Sequence, residues 1–209
     1  MKIITISRQF GSGGRELGKR LSDILGWDYY DKEIIEKLAA ESGLDTEYVN
    51  HVLNHHEWHS VPLTYRNSFA TATITPSVQT ELMKKQREII EQIAESGNDC
   101  IIVGRDADII LRDYRPFRIF VCAEMEDRVS RCMKHEEKKE TGRLSEKEIR
   151  RNIKKIDKKR TQVRELLTGK DWGDASCFDI TINAGGRNLK TLAESVSEFA
   201  LKWFEEYGD

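Results

Sequence analysis

Residues 3–20 constrain this chain most. Ile3-Ile4-Thr5-Ile6 is a short β-branched run, Ser7 to Gly14 hold a loop with three glycines, and Leu17, Leu21, Ile24 and Leu25 then recur with helical spacing. Strand, glycine turn and helix make a phosphate cradle. Glycines let successive backbone N–H groups converge on an anion, and the helix N-terminus adds partial positive charge. Gly11, Ser12, Gly13, Gly14, Arg15 and Glu16 are expected to hold a bound phosphate, with Arg15 as a two-pronged clamp at the helix start. A tight turn that binds nothing is the competing reading.

Two phosphate-binding patterns fit this stretch only in part. Laid over positions 8–15, G-x-x-x-x-G-K-[ST] fails three times: Arg8 replaces the first glycine, Gly14 the lysine and Arg15 the hydroxyl residue. The dinucleotide pattern G-x-G-x-x-G, counted from Gly11, meets Glu16 at its last glycine.

The rest of the chain alternates strands and helices. Trp27–Tyr30 reads as a strand, Asp31 as the N-cap of a helix with Ile34, Ile35 and Leu38 inward, and Gly43 as its stop. Asp45 or Thr46 caps a further helix carrying His51, His55 and His59 on one face. No cysteine or H-E-x-x-H pattern supports them, so that face is read as solvated rather than metal-binding. Residues 60–77 form an irregular surface segment whose one cation is Arg66, and a helix runs over 80–96. Cys100–Val103 is an unbroken apolar strand, the kind buried on both faces of a parallel sheet, and Gly104-Arg105-Asp106 closes it. Arg118–Cys122 and Asp179–Asn183 are further strands, and the final helix covers 189–207. Strands separated by helices imply parallel order.

Between the last two strands lies the most charged stretch, 124–164. Ser145-Glu146-Lys147-Glu148 is a capping box opening a helix that presents Arg150, Arg151, Lys154, Lys155, Asp157, Lys158, Lys159 and Arg160. A solvated helical hairpin accounts for such a run. Its place at the sheet edge shared with the glycine loop also suits a cationic flap that closes on phosphates.

Composition removes several alternatives. A net charge of -2 gives no basic field for nucleic acid. No apolar segment is long enough for a signal sequence or a membrane span. Cys100, Cys122, Cys132 and Cys177 show no C-x-x-C pairing, which fits buried thiols in a reducing compartment. A cytoplasmic location is expected; the oligomeric state is left open.

In order along the chain, Ile4–Glu16, Tyr30-Asp31-Lys32, Ile102–Asp106, Asp157-Lys158-Lys159-Arg160, Trp172-Gly173-Asp174 and Phe178-Asp179 resemble stretches of the nucleoside monophosphate kinases. Within them the resemblance is to the cytidylate kinases and a cytidylate kinase-like offshoot. It implies an α/β fold, a five-stranded parallel sheet flanked by helices, with a helical NMP-binding insertion and a helical lid. The core would be about 1–40, 80–123 and 175–209, the insertion about 41–79 and the lid about 124–174. It implies ATP and Mg2+ as cofactors and small-molecule nucleotides as partners, with no nucleic acid and no membrane.

The resemblance also implies roles. Arg105, with Asp106 beside it and Arg66 as a second candidate, meets the acceptor monophosphate, and Asp31 lies beside the acceptor nucleotide. Asp157 and Arg160 look like the lid pair of the active site, where Arg160 and Lys154 neutralise charge and Asp157 orients them. Asn183 to Gly186 lie near the donor base. Orthodox cytidylate kinases keep the P-loop lysine that is Gly14 here, a threonine where this chain has Glu16, and lid arginines near Ile153 and Ile156. Arg15 is the expected substitute for the lysine. The leading expectation is an ATP-dependent nucleoside monophosphate kinase. A nucleotide-binding module of the same fold without catalysis, and a dinucleotide-dependent oxidoreductase, are the alternatives.

Overall fold

In a computed structural model the described residues are 1–49, 61–62, 71–72, 76–137 and 144–207. The β-branched run becomes β1 (Ile3–Arg8), the glycine loop follows, and α1 spans Gly14–Leu25. After β2 (Asp28–Tyr30) come α2 (Glu33–Ser42), a helical turn at 46–49, the short strands β3 (Val61–Pro62) and β4 (Thr71–Ala72), and α3 (Pro76–Glu95). Then follow β5 (Cys100–Val103), the single turn α4 (Ala107–Ile110), β6 (Phe117–Cys122), α5 (Met125–Glu136), α6 (Glu146–Thr168), β7 (Ile180–Asn183) and α7 (Leu189–Tyr207).

Five strands form one sheet in the order β2-β5-β1-β6-β7, and every pairing is parallel. β1 is central because it is apolar on both faces: Ile3, Ile4 and Ile6 are all buried. On one face Leu17 and Leu21 of α1 join Ile4, Ile6, Ile101, Val103, Phe117, Ile119 and Val121 of the sheet and Ala193, Val196, Ala200 and Phe204 of α7. Phe120 faces the other way, edge-on to Trp172 and tilted against Phe178. The chain visits β2 and β5 on one side of β1 before crossing to β6 on the other. The carboxyl ends of β1 and β5 therefore flank a topological switch point, where open α/β sheets bind their ligands.

The chain divides into two compact units, 1–31 with 91–209, and 32–90. The first holds the whole five-stranded sheet. In the second, Ile34, Ile35 and Leu38 of α2 are buried as the periodicity predicts, with Val49, Leu82, Ile89 and Ile90. β3 and β4 pair antiparallel.

Three local expectations differ from what is found. Asp31 is not a helix cap: Lys32 holds the N-cap position of α2, and the Asp31 carboxylate turns to Arg8 and Arg15 instead. Ile24 of α1 is exposed, while Leu17 and Leu21 are fully buried and Leu25 packs partly against the core. The helix expected over 80–96 starts earlier, at Pro76, whose fixed φ suits a first turn. The capping box at Ser145 forms as expected, with the hydroxyl accepting from the Glu148 N–H and the Glu148 carboxylate accepting from the Ser145 N–H at 2.8 Å. His51, His55, His59 and Arg66 lie outside the described residues.

Candidate active site

Most carbonyls of the glycine loop are taken up by hydrogen bonds from the protein. The Gln9 carbonyl accepts the Ser12 N–H at 3.2 Å and the Ser12 hydroxyl at 2.9 Å, which buries that side chain under the turn. The Arg8 carbonyl accepts from Arg160 at 2.7 Å, the Phe10 carbonyl from Arg128 at 2.8 Å and the Gly11 carbonyl from Arg131 at 2.9 Å. Gly11 (φ 78°) and Gly13 (φ 97°) supply the left-handed residues that aim the chain this way. The N–H groups of Gly11, Gly13, Gly14, Arg15 and Glu16 donate to no acceptor among the described residues. Donors at a helix start, with the macrodipole behind them, make an anion cradle.

The outer wall of the loop comes from α5 and α6, which pack together through Val129, Ile149 and Ile153 with Phe10 against them. Asp157 of α6 accepts the Phe10 N–H at 2.8 Å and pairs with the buried Arg128. Arg160 lies 3.7 Å from Asp157 and stacks over the rings of Phe10 and Trp172. Asp157 thus holds the loop and Arg128 first and Arg160 second. Lys154, one turn earlier, is exposed, and Glu16 is exposed and paired with Arg20 at 2.8 Å.

The inner wall is the junction of β1 and β5. Gly104, Arg105 and Asp106 all have positive φ, 76°, 60° and 53°. Two consecutive left-handed non-glycine residues are strained, and such strain clusters at ligand sites. Asp31, itself buried, takes the Arg15 guanidinium through Nε and lies 3.5 Å from Arg8.

Four guanidiniums therefore share one corner: Arg8, Arg15, Arg105 and Arg160. Burial holds Arg8 below its ordinary value, with Asp31 acting against it and Arg15 adding to it. Burial and then Arg8 push Arg105 down to about 10, and the same two causes push Arg160 down to about 9. Asp106 moves the other way, up to about 6, through burial and then the Asp108 carboxylate. A largely buried cluster of cations that outnumbers the carboxylates Asp31, Asp106 and Asp157 beside it has the electrostatics of an anion site.

Arg8, Arg128 and Arg131 were absent from the sequence-derived site. Arg8 did leave a signal, since it occupies the first-glycine position of the phosphate pattern. Arg128 and Arg131 are brought in only by the packing of α5.

A model of the cytidylate kinase-like family matches residues 3–185. The chain belongs to the cytidylate kinase-like family. Among solved structures, an uncharacterized protein from Eubacterium ventriosum is 23% identical, with 96% of this chain and 98% of that one covered and a TM-score of 0.67. Shikimate kinase from Bacteroides thetaiotaomicron is 11% identical over 98% of both chains, TM-score 0.56. The Acinetobacter baumannii shikimate kinase, in complex with shikimate, is 10% identical over 97% and 94%, TM-score 0.54. None of the curated proteins matches this chain. Family and fold place this cytidylate kinase-like protein among the P-loop phosphotransferases. Among the described residues no helix is long and apolar enough to cross a membrane.

Proposed function

We propose that this cytidylate kinase-like protein moves the γ-phosphoryl group of ATP to a nucleoside monophosphate, with CMP and dCMP the first acceptors to try. The observation that carries this reading is the convergence of Arg8, Arg15, Arg105 and Arg160 beside five unpartnered N–H donors. A donor and an acceptor that are both phosphates need cations from two sides, and the cluster draws them from β1, α1, the end of β5 and α6.

In this reading the donor's phosphates lie on the N–H groups of Gly11 to Glu16. Arg105 holds the acceptor's phosphate, with Asp31 and Asp106 beside the acceptor and Arg66 as a further ligand. An acceptor phosphate oxygen attacks the γ-phosphorus, the bond to the β-phosphate oxygen breaks, and ADP leaves. Such a transfer needs in-line positioning and cations over the migrating group more than covalent chemistry. Arg160 and Arg15 supply that charge, Asp157 positions Arg160, and Lys154 adds charge from the exposed side. Residues about 41–79 serve as the acceptor-binding insertion and about 124–174 as the lid.

The triphosphate fits a loop whose Arg8, Gln9, Phe10 and Gly11 carbonyls already accept hydrogen bonds from the protein, leaving its N–H groups for an anion. Magnesium is commonly held by one or two carboxylates together with substrate phosphates. Asp31 and Asp106 are the carboxylates beside Arg8 and Arg105, whereas the Ser12 hydroxyl is buried under the turn. When bound, the ion would neutralise charge on the donor's phosphates.

The test is ADP release from ATP and Mg2+ with CMP, dCMP, UMP, AMP, GMP and shikimate as acceptors. Turnover with a monophosphate and none with shikimate is the expected result. ATP binding without turnover on any acceptor would leave a nucleotide-binding module of the same fold.

A further inference from the structure

Two positions at which this chain departs from the phosphate-loop pattern touch each other. A Cβ on Gly14 would lie 2.6 Å from Arg8 Cβ and 3.0 Å from its Cγ. Both atoms belong to the stem of Arg8 next to its backbone, so the conflict is not relieved by swinging a flexible tip. Gly14 itself lies in the first turn of α1 with an ordinary negative φ, so space and not backbone conformation demands glycine there. One of the two positions must lack a side chain. The usual pattern places glycine first and lysine second; this chain has the cation first and the glycine second.

The far end of Arg8 meets a second glycine. A Cβ on Gly104 would overlap Arg8 Nη1 and lie 2.7 Å from its Cζ. The guanidinium therefore lies against Gly104 at the end of β5, in the corner where Arg105, Asp106 and Asp31 meet. Its side chain is only 14% exposed, and Asp31 at 3.5 Å is shared with Arg15. Three positions, Arg8, Gly14 and Gly104, thus form one steric unit that carries a cation from the end of β1 into the centre of the site.

We propose that Arg8 is the donor-phosphate cation of this protein, standing in for the P-loop lysine from the opposite end of the loop, and that Gly14 and Gly104 are the clearances it requires. Arg15 fits the substitute's role less well, since its side chain is 58% exposed and its Nε is committed to Asp31. A planar guanidinium reaches two phosphate oxygens at once, where a lysine offers a point charge. The inference rests on the kinase reading only for its effect on turnover; its effect on phosphate binding stands by itself.

The experiment measures binding of inorganic tripolyphosphate by calorimetry, and turnover with whichever acceptor the wild type uses. Arg8→Met keeps the stem's bulk and should weaken tripolyphosphate binding tenfold or more with the fold retained, while Arg8→Lys should retain part of the affinity. Gly14→Lys alone should bind worse than wild type, because Arg8 blocks the new side chain. The double variant Arg8→Gly with Gly14→Lys exchanges the two positions and should bind at least tenfold better than Arg8→Gly alone. Tripolyphosphate binding equal in wild type and Arg8→Met, or absent in wild type, would overturn the assignment. A double variant no better than Arg8→Gly would overturn the exchange with lysine. If Arg8-dependent binding is found and no acceptor is phosphorylated, the kinase reading fails and the Arg8 assignment stands.

Discussion

The carboxylate of Asp157 accepts the backbone N–H of Phe10 at 2.8 Å, joining α6 to the glycine loop across 147 residues of sequence. The same carboxylate pairs with Arg128, which is buried and gives its Nε to the Phe10 carbonyl. One residue therefore fixes both polar groups of the Phe10 peptide, directly and through its partner. Asp157→Ala leaves a buried guanidinium without its counter-charge, a defect that costs about 3–5 kcal/mol. We expect a lowered melting temperature, and a weaker donor affinity that persists at temperatures where the variant is fully folded. Asp157→Asn, which can still accept the Phe10 N–H, should recover donor affinity more than stability. Equal donor affinity in all three proteins would leave Asp157 a purely structural ion pair.

Asp106 should give the protein a pH-dependent stability of definite sign. Its carboxyl is raised from 3.8 to about 6 in the folded state, by burial first and then by Asp108. A raised carboxyl binds its proton more tightly in the native state. The stabilisation is therefore full below about pH 4, is lost as pH rises through about 6, and stays lost above it. Two pK units amount to about 3 kcal/mol. Asn tolerates the left-handed backbone at this position and cannot ionise. The stability difference between Asp106→Asn and wild type should thus move in favour of the variant by about 3 kcal/mol between pH 4 and pH 7. Parallel urea-unfolding curves across that range would show that the Asp106 carboxyl carries no such penalty.

Arg105 separates binding from folding. Its φ of 60° strains any side-chain-bearing residue by about 1–2 kcal/mol, while glycine there loses about 0.5–1 kcal/mol of unfolded-chain entropy. Arg105→Gly should consequently keep the wild-type melting temperature to within a few degrees. If Arg105 holds the acceptor, the variant's KM for a monophosphate rises tenfold or more, and ATP affinity changes little, since a charged hydrogen bond contributes about 1.5–3 kcal/mol. A loss confined to ATP would move Arg105 to the donor side.

What was legible in the sequence was what short spacing decides. The strand–turn–helix unit follows from a β-branched run, three glycines and a helical stripe within twenty residues, and the capping box at Ser145 and Glu148 from a spacing of three. The parallel sheet follows from apolar strands separated by helices. The capping signal at Asp31 is local, and it loses to Arg8 from β1 and Arg15 from α1, which claim the carboxylate. Arg8 was seen as a departure from a pattern. Its place against Gly104 depends on the meeting of β1 with the end of β5, about a hundred residues away, which no local spacing reveals. Asp157 was placed in the site, yet its bond to the Phe10 N–H needs the tertiary fold.

Asp31 provides the last prediction, because it is the counter-charge at the centre of the arginine cluster. It is buried, takes Arg15 through Nε, lies 3.5 Å from Arg8, and opposes the burial that depresses both Arg8 and Arg105. Asp31→Asn keeps the shape and removes the charge, leaving the guanidiniums with only Asp106 and Asp157 to offset their mutual repulsion. In chloride the variant should be destabilised by about 3 kcal/mol, the scale for a buried pair that loses one partner. An anion would then neutralise what Asp31 no longer does. Tripolyphosphate should raise the melting temperature of the variant more than that of wild type, because binding stabilises by RT ln(1 + [L]/Kd) and Kd falls when the competing carboxylate is gone. Turnover should move the opposite way if Asp31 also touches the acceptor, with tighter donor binding beside a raised acceptor KM. Differential scanning fluorimetry in matched chloride and tripolyphosphate buffers reads the first effect, and steady-state kinetics the second. An equal anion-induced shift in both proteins would mean that Asp31 does not compete with phosphate, and that the arginines bind their ligand away from it.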